Sequence, residues 1–200
     1  MEDLLLLQSA VSSGSLDLAR TLLAAGANVN GRAKGPGSTT ALEIAAQTGN
    51  IEMVDFLLDS GADFAAPAAY NTGATALQFA PINGFMRIVR RLLNSGADVH
   101  AAGSVAYGRT AIQGAAEYGR IDVLQLLLSR IDPSERPQRK ELARAVHLAE
   151  KEGRFTAVKM VKSACGWSDK RSSDLKSLYF RSEGSGRADD WDSCSCAKKV

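Results

Sequence analysis

The chain has 200 residues, with 24 basic against 22 acidic side chains and a formal net charge of +2. That balance offers no electrostatic basis for binding nucleic acid or an anionic membrane, and no stretch approaches the roughly 18 apolar residues of a membrane span. Three cysteines, with Cys165 far from Cys194 and Cys196, make no disulfide framework, so a reducing compartment is expected, cytosol or nucleus.

The first residues, Met-Glu-Asp before Leu4 to Leu7, have neither the basic start nor the long apolar run of a signal peptide. From Leu4 to Asn30 the pattern predicts a helix pair, the second helix carrying Leu16, Leu18, Ala19, Leu22 and Leu23 on one face. No hairpin precedes it, and Leu5 and Leu6 have nothing upstream to cover them. Two readings stand side by side. Either an upstream domain is missing, or this is an N-terminal cap whose outer face is Glu2, Asp3, Gln8, Ser12 and Ser13.

From here the chain repeats itself. Thr40, Thr75 and Thr110 stand 35 residues apart, as do Gly49, Gly84 and Gly119, with Gly14 one step upstream, and Gly26, Gly61 and Gly96. Three markers in one register predict stacked helical units. Thr40-x-x-Glu43, Thr75-x-x-Gln78 and Thr110-x-x-Gln113 fit the capping box, so a short helix is expected after each threonine. Small residues, Ala45-Ala46 and Ala115-Ala116, allow the next unit close, and Gly49, Gly84 and Gly119 end these helices. Second helices follow at Ile51 to Leu58, Met86 to Leu93 and Ile121 to Leu128, with Asp55 and Arg90 on the outer face. Gly-Ala-Asp closes two of them at Gly61 and Gly96, and connectors suited to extended hairpins lead to the next threonine. Pro81 stands where alanine is expected and should shorten or kink its helix, at roughly 3 kcal/mol in a helix interior.

After Leu128 the pattern degrades; Pro133 and Pro137 are expected to stop the old helix, and a charged last pair is expected over Glu141 to Glu152 and Arg154 to Ser163. Residues 166–200, rich in Ser, Gly and mixed charge, read as a disordered tail, with Leu175 to Phe180 a candidate helical turn or partner motif.

The phrases "TALEIAAQTGNIEMVDFLLDSGADF" and "TALQFAPINGFMRIVRRLLNSGADVH" resemble the ankyrin repeat. The family's proline after the threonine is Ala41, Ala76 or Ala111 here, and its histidine is Glu43, Gln78 or Gln113. The period is about two residues longer than the usual 33, which implies longer hairpins. The resemblance covers residues 1–165 and implies an all-α solenoid in units of 4–38, 39–73, 74–108, 109–140 and a degenerate capping unit, 141–165. "YGRTAIQGAAEYGRIDVLQLLL" further resembles the arrays at the C-termini of multidomain fungal proteins.

No catalytic set has a plausible context. His100 holds a hairpin position, and His147 aligns with the family's helix-start histidine, a structural role. "GRAKGPGSTT" lacks the Gly-Lys-Ser/Thr order of a phosphate loop, Cys194 and Cys196 lack a second ligand pair, and the acidic run around Trp191 reads as solvated. Neither enzyme activity nor a metal, cofactor or small-molecule substrate is expected. The resemblance implies instead a protein partner on a concave face of hairpin tips and first helices. The positions just before each threonine are Thr39, Ala74 and Arg109, and those after the small pair are Gln47 and Thr48, Ile82 and Asn83, Glu117 and Tyr118. The tips add Lys34, Tyr70, Asn71 and Tyr107. Alternatively, the array is an accessory or regulatory segment of a larger enzyme or nucleotide-driven signalling protein.

Overall fold

A computed structural model describes residues 2–32, 39–69, 74–104, 108–131 and 136–167, with backbone alone for 2–4 and 136–138. These residues form ten helices and no strand. They are α1 (Glu2–Ser12), α2 (Leu16–Ala24), α3 (Ala41–Thr48), α4 (Ile51–Asp59), α5 (Ala76–Asn83), α6 (Met86–Asn94), α7 (Ala111–Glu117), α8 (Ile121–Leu128), α9 (Arg136–Lys151) and α10 (Phe155–Ala164). First helices stack in one row, α1 on α3, α3 on α5, α5 on α7 and α7 on α9; α4, α6, α8 and α10 stack in a second. The expected all-α solenoid is the architecture seen.

Local chemistry sets each unit. Thr40 and Thr110 accept the backbone N–H of Glu43 and Gln113, whose side chains accept the threonine N–H in return. In α5 Thr75 N–H donates to Gln78 Oε1 at 2.9 Å, but the buried Thr75 hydroxyl lies outside hydrogen-bonding geometry. Gly49, Gly84 and Gly119 take φ of +82°, +80° and +65°, the left-handed turn that ends the first helix. After α2, α4 and α6 a side chain makes the next bend: Asn28, Asp63 and Asp98 accept the N–H two residues on, at 2.8–3.0 Å.

The core is one continuous seam. Leu42, Leu77 and Ile112 line it from the first row, and Met53, Leu57, Ile88, Leu92, Leu124 and Leu127 from the second, all at most 2% exposed. Each such side chain contributes roughly 1.5–3 kcal/mol by leaving water. Outside the seam, Arg91 ties α6 to α4 through Asp55 at 2.6 Å and Asp59 at 3.1 Å, exposed pairs of small worth.

Several expectations are corrected. Pro81 does not break α5: the helix runs unbroken from Ala76 to Asn83, as long as α3. The ring removes one hydrogen bond, the one that would reach Leu77, and the helix is braced between α3 and α7 with Gly84 closing it. The last pair starts at Arg136, five residues before the expected Glu141, because Pro137 falls in the first turn, where no N–H is required. His147 is therefore exposed in the fourth turn of α9 and starts no helix. Leu18 is 47% exposed although its counterparts Met53 and Ile88 are buried. Of the connectors, one backbone bond closes the base of the third, Gly108 N–H to Ser104 O at 2.9 Å, and the tips lie outside the described residues.

Candidate functional site

The candidate binding residues come from the ends of the first-row helices. Gln47 and Thr48 close α3, Ile82 and Asn83 close α5, and Glu117 and Tyr118 close α7. Because α3, α5 and α7 pack side by side, these six lie along one edge of the row. Gln47, Thr48, Asn83 and Tyr118 are exposed, Tyr118 at 49%. Thr48 Oγ1 donates to the Ile44 carbonyl at 3.0 Å and Asn83 Nδ2 to the Phe79 carbonyl at 3.1 Å, which holds both side chains against their own helices.

Two of the six are partly engaged within the fold. Ile82 is half-buried against α7, so close that a Cβ on Gly114 would stand 2.7 Å from its Cγ1. Glu117 accepts from Arg109 Nε at 2.8 Å, and both side chains are about one-fifth exposed. Arg109 and Glu117 thus neutralise each other beside Tyr118, a link across α7 that the sequence did not disclose. Thr39 and Ala74 are half-buried at the starts of α3 and α5. Lys34, Tyr70, Asn71 and Tyr107 lie outside the described residues, as do the tail from 168 on and the acidic run around Trp191.

The Glu/Gln position does more than cap. Gln78 Nε2 donates to the Ala101 carbonyl at 2.8 Å, Gln113 Nε2 to that of Glu141 at 3.4 Å, and Gln8 Nε2 to that of Thr39 at 2.6 Å. These side chains pin the chain that follows. The 35-residue spacing of 8, 43, 78 and 113 was the available signal. Glu43 has no N–H to donate; Arg32 supplies it instead, bonding Glu43 Oε1 and the Pro67 carbonyl, each at 2.6 Å.

Burial raises the Glu43 carboxyl above its ordinary 4.5, and the Thr40 backbone N–H and the Arg32 charge offset this only in part. A carboxyl with a raised folded pKa holds its proton more tightly in the fold. It therefore stabilises the fold below about pH 4.5 and loses that contribution as pH rises through the raised value. Glu43→Gln keeps the acceptor for Thr40 and removes the titration. Its urea midpoint is expected to gain on wild type as pH climbs from about 4 to about 8. A difference that stays flat over that range would contradict the assignment.

Burial pushes the Cys165 thiol up to about 11 despite the Arg139 charge, so little thiolate forms near neutrality. His100 Nδ1 sits 2.8 Å from Glu141 Oε2 and fastens the third connector to α9. Among the described residues no cluster of His, Cys, Asp or Glu could hold a metal, and no helix is long and apolar enough to cross a membrane. An open cleft of about 590 Å³ lies at the far end, between Phe155, Val158 and Trp167, with Lys162 spanning to Glu150 at 3.2 Å. The sequence did not signal it, since it depends on how Trp167 folds back under Arg139.

The family model for ankyrin repeats, in three copies, matches residues 3–68 and 66–137. The chain belongs to the ankyrin repeats. No curated protein matches it. Ankyrin repeats are generally protein–protein interaction modules and typically non-catalytic. The ankyrin pairs here depart from the family phrase at their capping Glu and Gln, and the geometry above accounts for the substitution. The Gln78 carboxamide caps its helix and reaches the following segment at once, and at Glu43 the carboxylate caps while Arg32 makes the second link.

Proposed function

We propose that this chain is a non-catalytic protein-interaction module that grips a protein partner through the concave side of the array. The binding residues are the first-helix ends and the connector tips, Lys34, Tyr70, Asn71 and Tyr107 included. The supporting observation is the row of exposed polar and aromatic side chains, Gln47, Asn83 and Tyr118, on three helix ends held in register by the core. Tyrosine supplies large contact area at small entropic cost and is enriched at binding hot spots.

The test is affinity purification from the native cell. Gln47→Ala with Tyr118→Ala is expected to lose the captured protein by about tenfold, a cost of about 1.4 kcal/mol. The melting midpoint should be unchanged, since both residues are exposed. Arg90→Ala, on the opposite row, should keep the partner. Equal loss from both variants would place the contact elsewhere, and a large fall in the double variant's midpoint would make those residues structural.

A second reading rests on the exposure of Leu5 and Leu6, at 56% and 51%. Under it the array is the accessory or regulatory part of a larger protein, of the kind found at the ends of fungal multidomain chains. A transcript extending in frame upstream of Met1 supports it, and a start mapped to Met1 opposes it.

A further inference from the structure

Comparing equivalent positions in successive pairs shows from which side each is covered. Ala41, Ala76 and Ala111 share one position, and Met53, Ile88 and Val123 another, all at most 3% exposed. In the last pair their counterparts Ala145 and Ala157 are still fully buried. In the first pair the counterparts are Leu6 and Leu18, at 51% and 47% exposed. A position buried in the last pair and bare in the first is covered by the pair before it. The position of Ala46, Pro81 and Ala116 behaves oppositely. Val11 is fully buried there in the first pair, and Glu150 is exposed in the last.

The two ends of the array therefore differ. Where a following pair would sit, the last unit carries the carboxylate of Glu150 in place of the small residue, beside an open cleft in which Phe155 is 69% exposed. Where a preceding pair would sit, the first unit carries leucines, and Leu5 extends the apolar patch. The contact that α3 makes on α1 is repeated along the first row as far as α9. The face of α1 and α2 is the same surface one step further on.

We propose that Leu5, Leu6 and Leu18 form an inter-repeat docking face whose occupant is another ankyrin-type helix pair. That pair stacks on α1 and α2 as the α1–α2 pair stacks on α3 and α4, and it offers small residues of the kind found at Ala46 and Ala116. This surface is separate from the concave one, so the failure of either reading leaves the other standing.

The experiment extends the full chain at its N-terminus with a second copy of its own residues 39–73. The melting midpoint rises by about 4 °C or more. The α1 amides exchange at least about tenfold more slowly. Leu6→Gln with Leu18→Gln abolishes both gains in the extended chain and leaves the unextended chain's midpoint within about 2 °C of wild type. An extension that gives no gain, or the same gain in the glutamine variant, overturns the proposal. So does an unextended chain that dimerises in light scattering and returns to monomer in that variant, since the occupant would then be a second copy.

Discussion

Leu57→Asp is expected to abolish cooperative unfolding of the entire array. Leu57 is fully buried in α4, in the middle of the seam between the first and third helix pairs. Removing its side chain alone costs about 2–5 kcal/mol, as the control Leu57→Ala should show by shifting the urea midpoint while keeping the transition. A carboxylate adds several kcal/mol of desolvation with no cation supplied to offset it. A domain of this kind holds about 5–15 kcal/mol in total, so the sum consumes most of it. Because each unit is stable only through its neighbours, the loss spreads. The 222 nm circular dichroism signal should fall well below wild type at 25 °C. Leu18→Asp places the same change on a leucine that is 47% exposed, and should shift stability by no more than about 0.5 kcal/mol. Equal midpoints for Leu57→Asp and wild type would end the shared-core account.

Gly49→Ala is the second large effect, and it separates two causes. Gly49 has φ +82°, and a Cβ there would lie 2.5, 2.7 and 2.9 Å from three ring atoms of Phe85 in the next unit. The left-handed backbone costs an alanine about 1 kcal/mol, and the overlap adds about 1–3 kcal/mol as the ring is pushed off its seat. Gly61→Ala is the matched control, with φ +86° and no atom within 4 Å, so it should report backbone strain alone. In a Phe85→Ala background the cost of Gly49→Ala should fall to the Gly61→Ala value, read from urea midpoints as a double-mutant cycle. If Gly49→Ala costs no more than Gly61→Ala with Phe85 present, the ring does not rest on that glycine. The same device recurs down the array, with Asn50 beside Gly14, Arg120 beside Gly84 and Arg154 beside Gly119. Glycine at these positions thus serves the packing of the next unit as well as the turn.

The helix pairs were legible because their signals are local. A threonine with Glu or Gln three residues on, a glycine a turn beyond the last small residue, and leucines one helical turn apart act within a few ångströms of themselves. The starts of α3, α5 and α7 can be read that way, and α4, α6 and α8 follow the glycine that ends each of them. Helix α9 begins earlier than the expected Glu141 because Pro137 sits in a first turn where its missing N–H is no loss. The binding edge was legible only as positions: Gln47, Asn83 and Tyr118 stand where the repeat puts them. Whether a given side chain is free depends on residues far along the chain. Arg109 and Glu117 find each other across α7, Ile82 settles over Gly114, and Arg32 reaches across the connector to Glu43 and Pro67.

By itself the sequence determined the repeat, its period, the caps and the buried stripe of each helix, since periodicity and capping are properties of neighbouring residues in one chain. Tertiary structure alone decided that Pro81 sits in an unbroken helix, because packing on both sides outweighs one missing hydrogen bond. It also decided that the alanine position of the stack is an exposed Glu150 in the last pair, and that Leu6 and Leu18 stand bare in the first. The same register position is core or surface according to whether a neighbouring pair covers it, and coverage belongs to the stack rather than to any one stretch of residues.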